Sequence, residues 1–312
     1  MIQRKRIFNT SRLTKEEKWE NAGFTDTFIF PEVLCSSKEL TKKIIEMCVP
    51  DMEIAEILNI QREVHKEVSP FARFGRLDVT ARLKDGTLVL IEMQVKANGL
   101  IQKRMRYYLG LTDTKNTPKG SKGDELPKVI QITFCDYDPY GLDCYVYRFS
   151  GYEDDHPGLV FGDGVTRVIM NIRGTEGNAT KEQKEFLKYL RGMATEDELS
   201  AEVDDKVTEV KYNVDVKEAY MTLEDYIDDR KKEAQAEGHA EGLAEGRAEG
   251  LAEGRAEGLA KGLTEGRLAA IRELVLRHAE KGLSIEDIAE LDGITIEEAM
   301  TIIGVPAHDS ES

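Results

Sequence analysis

Two runs of alternating apolar and polar residues stand out in the first half of the chain. They cover residues 76–84 and 87–96, and Asp85-Gly86 lies between them. Alternation with a period of two is typical of strands with one buried face, and Asp-Gly between two such runs is a strong turn signal. The pattern therefore predicts a β-hairpin.

Two loop lengths compete for this hairpin. A two-residue loop would pair Lys84 with Thr87, whereas a three-residue loop ending in a glycine bulge at Gly86 would pair Leu83 with Thr87. A shift of one residue moves every side chain to the other face of a sheet. Only the longer loop collects the apolar residues on one face, namely Leu77, Val79, Ala81, Leu83, Val89, Ile91, Met93 and Val95. We therefore predict the bulged register.

This register makes Asp78 and Glu92 direct cross-strand neighbours, with Cβ atoms about 4.5–5.5 Å apart. Like charges at that spacing are destabilising unless a cation lies between them, and Mg²⁺ binds one or two carboxylates together with waters and substrate phosphate. Gln94 faces the same side and can hold a water. The alternative is a solvated face on which basic residues neutralise the acids, namely Arg76, Arg82 and Lys96.

Other segments predict a mixed α/β protein. Apolar residues at three- and four-residue spacing indicate a helix over 36–47, which Pro50 ends. A basic helix over 98–111 and a strand over 128–134 follow the hairpin, and a further helix is expected over 180–191.

A tetrapeptide repeat, Leu/Arg-Ala-Glu-Gly, fills residues 237–266 and places a glycine at every fourth position. Its other residues are good helix formers, but each glycine costs about 0.8–1.0 kcal/mol relative to alanine. A period of four drifts about 40° per repeat around a helix, which argues against a heptad coiled coil. A long, partly frayed helix and a glycine-faced self-association stalk both remain open.

A small helical tail follows the repeat. Capping-box patterns begin at Ser284 and Thr295, and the turn around Gly293 gives helix-turn-helix spacing. Residues 295–304 contain no lysine or arginine, which a DNA-reading helix needs. A structural hairpin or protein-docking tail is favoured over DNA reading.

The net charge is distributed unevenly along the chain. The net charge is −16, but residues 1–150 carry +3 and residues 151–312 carry −19. The first part can therefore meet a polyanion that the second part repels. The apolar runs are too short for a membrane span, and the basic start lacks the apolar segment of a signal peptide. The four cysteines lack metal-ligand spacing, so we expect reduced thiols and a cytoplasmic protein.

A pair of metal-binding acids next to a basic, tyrosine-bearing helix suits a phosphodiester substrate, since lysine and arginine position a phosphate backbone. Arg104 and Arg106 are the candidate phosphate contacts, with a solvated helix face as their alternative interpretation. The tyrosines of this helix are more readily explained by core packing.

These residues resemble a known family. Asp78, Glu92 and Gln94, in a helix–strand–hairpin–helix–strand setting, are similar to the PD-(D/E)XK nuclease superfamily, and within it to the Rpn-type recombination-promoting nuclease/putative transposase family. The resemblance covers roughly residues 20–150 and is carried by Asp26-Thr-Phe-Ile-Phe30, Arg76-Leu-Asp-Val79, Ile91-Glu-Met-Gln94 and Arg106-Tyr-Tyr108.

The resemblance implies an αβββαβ restriction-endonuclease-like core, with metal ligation by Asp78, Glu92 and the Met93 carbonyl. Gln94 stands where many superfamily members have lysine, so it can orient a water but brings no charge. A third acid from the first helical region is implied, with Asp26, Glu32 and Glu39 as candidates. The literal Pro50-Asp51 dipeptide is not the motif, because no strand hairpin follows it at working distance.

The sequence thus predicts a Mg²⁺-dependent DNA endonuclease linked to recombination or mobile elements. The alternative is a catalytically weak nuclease-fold protein that binds DNA ends or partner proteins and self-associates through its stalk. The predicted domains are a nuclease-like core over 1–150, an extension of it over 151–230, the repeat stalk over 231–270 and the helical hairpin tail over 271–312.

Overall fold

The computed structural model describes residues 13–62, 78–97, 100–117, 120, 125–156 and 158–304. The chain divides into two compact units, and the division falls between Tyr226 and Ile227. Within the described residues, no helix is both long enough and apolar enough to cross a membrane.

Along the chain, helices precede and follow the strands of the first unit. Its elements are α1 (Lys15–Asn21), α2 (Ile29–Ser36), α3 (Lys38–Cys48), β1 (Ile57–Arg62), β2 (Val79–Leu83), β3 (Leu88–Gln94), α4 (Ile101–Asn116), β4 (Val129–Cys135), β5 (Val146–Phe149), β6 (Val165–Asn171), α5 (Lys181–Leu190), α6 (Glu198–Tyr212) and the start of α7 (Val214–Glu280). The order from α3 to β4 is helix, three strands, helix and strand. The restriction-endonuclease-like topology of the core stays a prediction.

One six-stranded sheet organises this unit, with the strand order β1-β2-β3-β4-β6-β5. The strands β1, β2 and β3 are antiparallel, β3, β4 and β6 run parallel, and β5 closes the edge antiparallel to β6. The predicted extension over 151–230 therefore supplies β6 to the sheet of the core. The predicted domain boundaries stay predictions.

The hairpin between β2 and β3 has the bulged register. Thr80 pairs with Leu90 and Arg82 with Leu88. The Leu83 N–H donates to the Thr87 carbonyl at 2.9 Å, and the Gly86 N–H donates to the Leu83 carbonyl at 3.0 Å. Gly86 has φ +90°, a backbone conformation that favours glycine. Arg76 and Leu77, which belong to the predicted alternation, lie outside the described residues.

The apolar face of the hairpin builds the main core. Val79, Ala81, Val89 and Ile91 are fully buried there. Residues of β4, β6 and helices α2, α3, α5 and α6 join the same cluster. The predicted helix over 36–47 is α3, and the Ser37 hydroxyl caps it by accepting from the Leu40 N–H.

The opposite face of the sheet lies under α4. Leu88 and Leu90 pack there against Tyr108, and Ile101 and Met105 pack against residues of β4, β5 and β6. Glu92 is on this face and is only 2% exposed. The alternative of a solvated face around Glu92 is therefore wrong. The predicted first helical residue, Asn98, lies outside the described residues.

The second unit consists of the later part of α7, α8 (Ile285–Asp292) and α9 (Ile296–Ile303). The whole repeat is helical, and residues 229–270 are exposed. The Ser284 and Thr295 hydroxyls cap α8 and α9, since they accept from the Asp287 and Glu298 N–H groups; of the two predicted capping boxes, the reciprocal bond is formed at Thr295. A small apolar cluster joins the end of α7 to α8 and α9. Self-association through the repeat stays a prediction.

Candidate metal centre

Asp78 lies where the ladder between β2 and β3 ends. It directly precedes β2, and its Oδ2 accepts a hydrogen bond from the Met93 N–H at 2.8 Å. The side chain thus satisfies a backbone donor of β3 beyond the last ladder pair, Val79 with Ile91. This bond fixes Asp78 against the strand that carries Glu92.

Glu92 is the most enclosed acid of the site. Its Oε1 accepts from Arg104 Nη2 at 2.5 Å and from Gln94 Nε2 at 2.9 Å. The Gln94 amide also donates to the Met93 carbonyl at 3.3 Å. The structure therefore brings Asp78, Glu92, Met93 and Gln94 together at one end of the hairpin.

Arg104 reaches the acids from α4. It is 9% exposed, and its Nη2 also donates to the Tyr108 hydroxyl at 3.2 Å. Its Nε has no hydrogen-bond partner among the described residues. Arg106, two residues further along α4, is exposed. Both arginines stay predicted phosphate contacts, but Arg104 lies at the carboxylates rather than on the outer face of the helix.

A signal for this placement is present in the sequence. Ile101, Met105 and Tyr108 follow one another at spacings of four and three residues, so they share one helix face. Arg104 belongs to the same face, one turn before Tyr108. Sequence reasoning that weighs only the charges of this helix misses the contribution of Arg104 and Tyr108 to the site.

Burial dominates the electrostatics of the two acids. It raises the pKa of Asp78 to about 6, although the Met93 N–H, Arg104 and Arg62 act in the opposite direction. Burial likewise raises the pKa of Glu92 to about 7, with Arg104 opposing the shift and the charge of Asp78 adding to it. Two acids with strongly perturbed pKa values in one place are a common property of functional sites.

The three candidates for a further acid occupy different positions. The Asp26 carboxylate accepts from the Phe28 and Ile29 N–H groups at 2.9 and 3.2 Å. Glu39 is exposed on α3. Glu32 forms an ion pair with Arg62, whose charge also acts on Asp78. Of the three, Glu32 is connected to the site, through Arg62.

The donor set suits a hard divalent cation. Two carboxylates and a nearby carbonyl, that of Met93, provide oxygen ligands, and Mg²⁺ usually keeps several waters beside one or two carboxylates. No group of three or more His, Cys, Asp or Glu side chains that could hold a metal occurs among the described residues. The protein therefore offers a carboxylate pair, to which waters and substrate would complete the coordination.

A comparison against protein families identifies the group to which the chain belongs. The family model described as PD-(D/E)XK nuclease family transposase matches residues 28–241, more than half of the chain. The protein belongs to this family, which confirms the resemblance found in the sequence. No curated protein and no solved structure matches the chain.

Proposed function

We propose that the protein is a metal-dependent endonuclease that hydrolyses phosphodiester bonds of DNA during recombination or the movement of mobile elements. The observation that carries the proposal is the proximity of the two acids: Asp78 accepts from the Met93 N–H at 2.8 Å and its charge acts on Glu92, to which Gln94 donates at 2.9 Å. Membership of a nuclease family transposase group supports the same reaction class.

In this proposal, Asp78, Glu92 and the Met93 carbonyl would hold Mg²⁺. The ion would supply Lewis acidity toward the phosphate and lower the pKa of a water. Gln94 would position that water. Because its Nε2 donates to Glu92, its Oε1 is the atom that can accept a hydrogen bond from the water.

The substrate follows from charge and family. The first 150 residues have a net charge of +3, and α4 presents the exposed Lys103 and Arg106 to solvent. Basic side chains of this kind position a phosphate backbone without reading its sequence. The cytoplasmic location expected from the sequence is part of this proposal.

A second function has one observation in its favour. Gln94 cannot supply the positive charge that lysine brings at the corresponding position of many superfamily members. A protein with weak hydrolysis could still bind DNA ends or partner proteins, and the exposed repeat over 229–270 is a candidate for self-association. If the wild type does not hydrolyse DNA, this second function is favoured.

The test is the incubation of supercoiled plasmid with the purified full chain in Mg²⁺ or in EDTA. We expect nicking only in Mg²⁺, and its loss in Asp78→Asn. Asp51→Asn is the matched control, because Asp51 is an exposed acid in the Pro-Asp dipeptide and takes no part in the site. Nicking in EDTA, or full activity of Asp78→Asn, would contradict the proposal.

A further inference from the structure

The buried acid of the site already has a cation bound to it. Arg104 Nη2 lies 2.5 Å from Glu92 Oε1, and the exposed fractions of the two side chains are 10% and 3%. An ion pair this enclosed is screened much less by salt than an exposed pair. Its charge acts on the same carboxylate that the proposed metal ion would use.

The surroundings of Arg104 keep its guanidinium group in this position. Tyr108 accepts a second hydrogen bond from the same Nη2, and the guanidinium carbon lies 5.9 Å from the Tyr108 ring centroid. The Nε has no partner among the described residues, so no competing acceptor is seen to draw the group away from Glu92. The positive charge is therefore a fixed part of the site.

We propose that Arg104 is a positioning residue that sets the metal affinity of the site, and the proposal rests on the metal-binding function proposed above. In the metal-free protein, Arg104 compensates the charge of Glu92, so the fold does not depend on a metal ion. A divalent cation held by Asp78 and Glu92 would be repelled by the guanidinium, because like charges interact strongly in a partly desolvated site.

The two cations act on each other reciprocally. If Arg104 weakens metal binding, a bound metal weakens the Arg104–Glu92 ion pair by the same free energy. Removal of the guanidinium charge should therefore tighten metal binding and make the fold depend on metal. If Arg104 had only a structural role, its replacement would not tighten metal binding.

The test is a titration of the full chain with Mn²⁺, followed by electron paramagnetic resonance of the free ion at mildly alkaline pH. Arg104→Gln removes the charge but keeps a donor for Glu92, and we expect it to bind Mn²⁺ about tenfold more tightly or better than wild type. Arg104→Lys keeps the charge and should stay near the wild-type affinity. Arg106→Gln makes the same change at an exposed position of α4 and is the matched control.

Equal or weaker Mn²⁺ binding by Arg104→Gln would overturn the proposal. Should this variant unfold in EDTA, we expect Mn²⁺ to refold it, and failure to refold at any Mn²⁺ concentration would also overturn the proposal. Plasmid nicking by the wild type distinguishes a failure of the role proposed for Arg104 from a failure of the proposed metal-dependent function. If the wild type nicks DNA in Mg²⁺ and Arg104→Gln gains no affinity, only the role of Arg104 is wrong. If not even the wild type binds Mn²⁺, the metal site and the role of Arg104 fail together.

Discussion

The two acids of the site should differ sharply in their effect on stability. Glu92→Gln leaves the buried guanidinium of Arg104 without its counter-ion, which is 2.5 Å away in the wild type. Breaking one partner of a buried ion pair typically costs about 3–5 kcal/mol. Because glutamine keeps one acceptor oxygen for Arg104, we expect a loss near the lower value, about 3 kcal/mol, in metal-free buffer.

Asp78→Asn should behave differently. The asparagine oxygen can still accept from the Met93 N–H, so the end of the hairpin keeps its hydrogen bond. The substitution also removes the charge that destabilises ionised Glu92. We therefore expect a change in the free energy of unfolding of no more than about 1 kcal/mol, and in either direction.

The assay is urea unfolding in EDTA above pH 7, where Glu92 is ionised. Trp19 is the only tryptophan of the chain and is 2% exposed, so its fluorescence reports unfolding of the first unit alone. With an m-value of about 2–3 kcal/mol/M, a loss of about 3 kcal/mol lowers the midpoint by about 1–1.5 M urea.

The matched control is Glu56→Gln. Glu56 pairs with Lys84 at 3.2 Å, but both side chains are more than two thirds exposed. Exposed pairs contribute little, so this variant should change stability by less than about 1 kcal/mol. The reasoning is refuted if Glu92→Gln is as stable as the wild type, or if Asp78→Asn loses as much as Glu92→Gln.

Two further predictions concern Gln94 and the repeat. Gln94→Lys should keep or raise plasmid nicking, whereas Gln94→Ala should lose most of it but still bind Mg²⁺ in calorimetry; loss of binding would place Gln94 among the metal ligands. A chain of residues 1–230 should bind DNA at least as tightly as the full chain, because the acidic repeat repels phosphate. The gain in affinity should shrink as the salt concentration rises. Much weaker binding by the shorter chain at every salt concentration would indicate that the tail reads DNA.

The hairpin was predictable from the sequence because two independent signals agree on it. The period-two pattern excludes a one-residue slip, and Gly86 provides the positive φ that the three-residue loop needs. Together they set Asp78 opposite Glu92. The capped starts of the tail helices were predictable for a similar reason, since a capping box satisfies specific N–H groups at the positions where its residues occur.

The environment of the two acids could not be read from the strands. It depends on α4, a helix whose charges suggest an exposed element although Ile101, Met105 and Tyr108 bury one face against the sheet. Only when this face is packed does Arg104 approach Glu92. Tertiary packing between distant segments, rather than any local pattern, determines whether a charged residue faces solvent or another charge.

The central claim is that water attacks a DNA phosphate at the Asp78–Glu92 site with the help of a divalent metal. The most direct measurement is cleavage of plasmid DNA in ¹⁸O-labelled water, followed by mass spectrometry of the new phosphate ends. We predict one ¹⁸O atom in each new phosphate in the presence of Mg²⁺, and no cleavage in EDTA or by Asp78→Asn. Ends without the label, or labelled ends formed equally by Asp78→Asn, would contradict the claim.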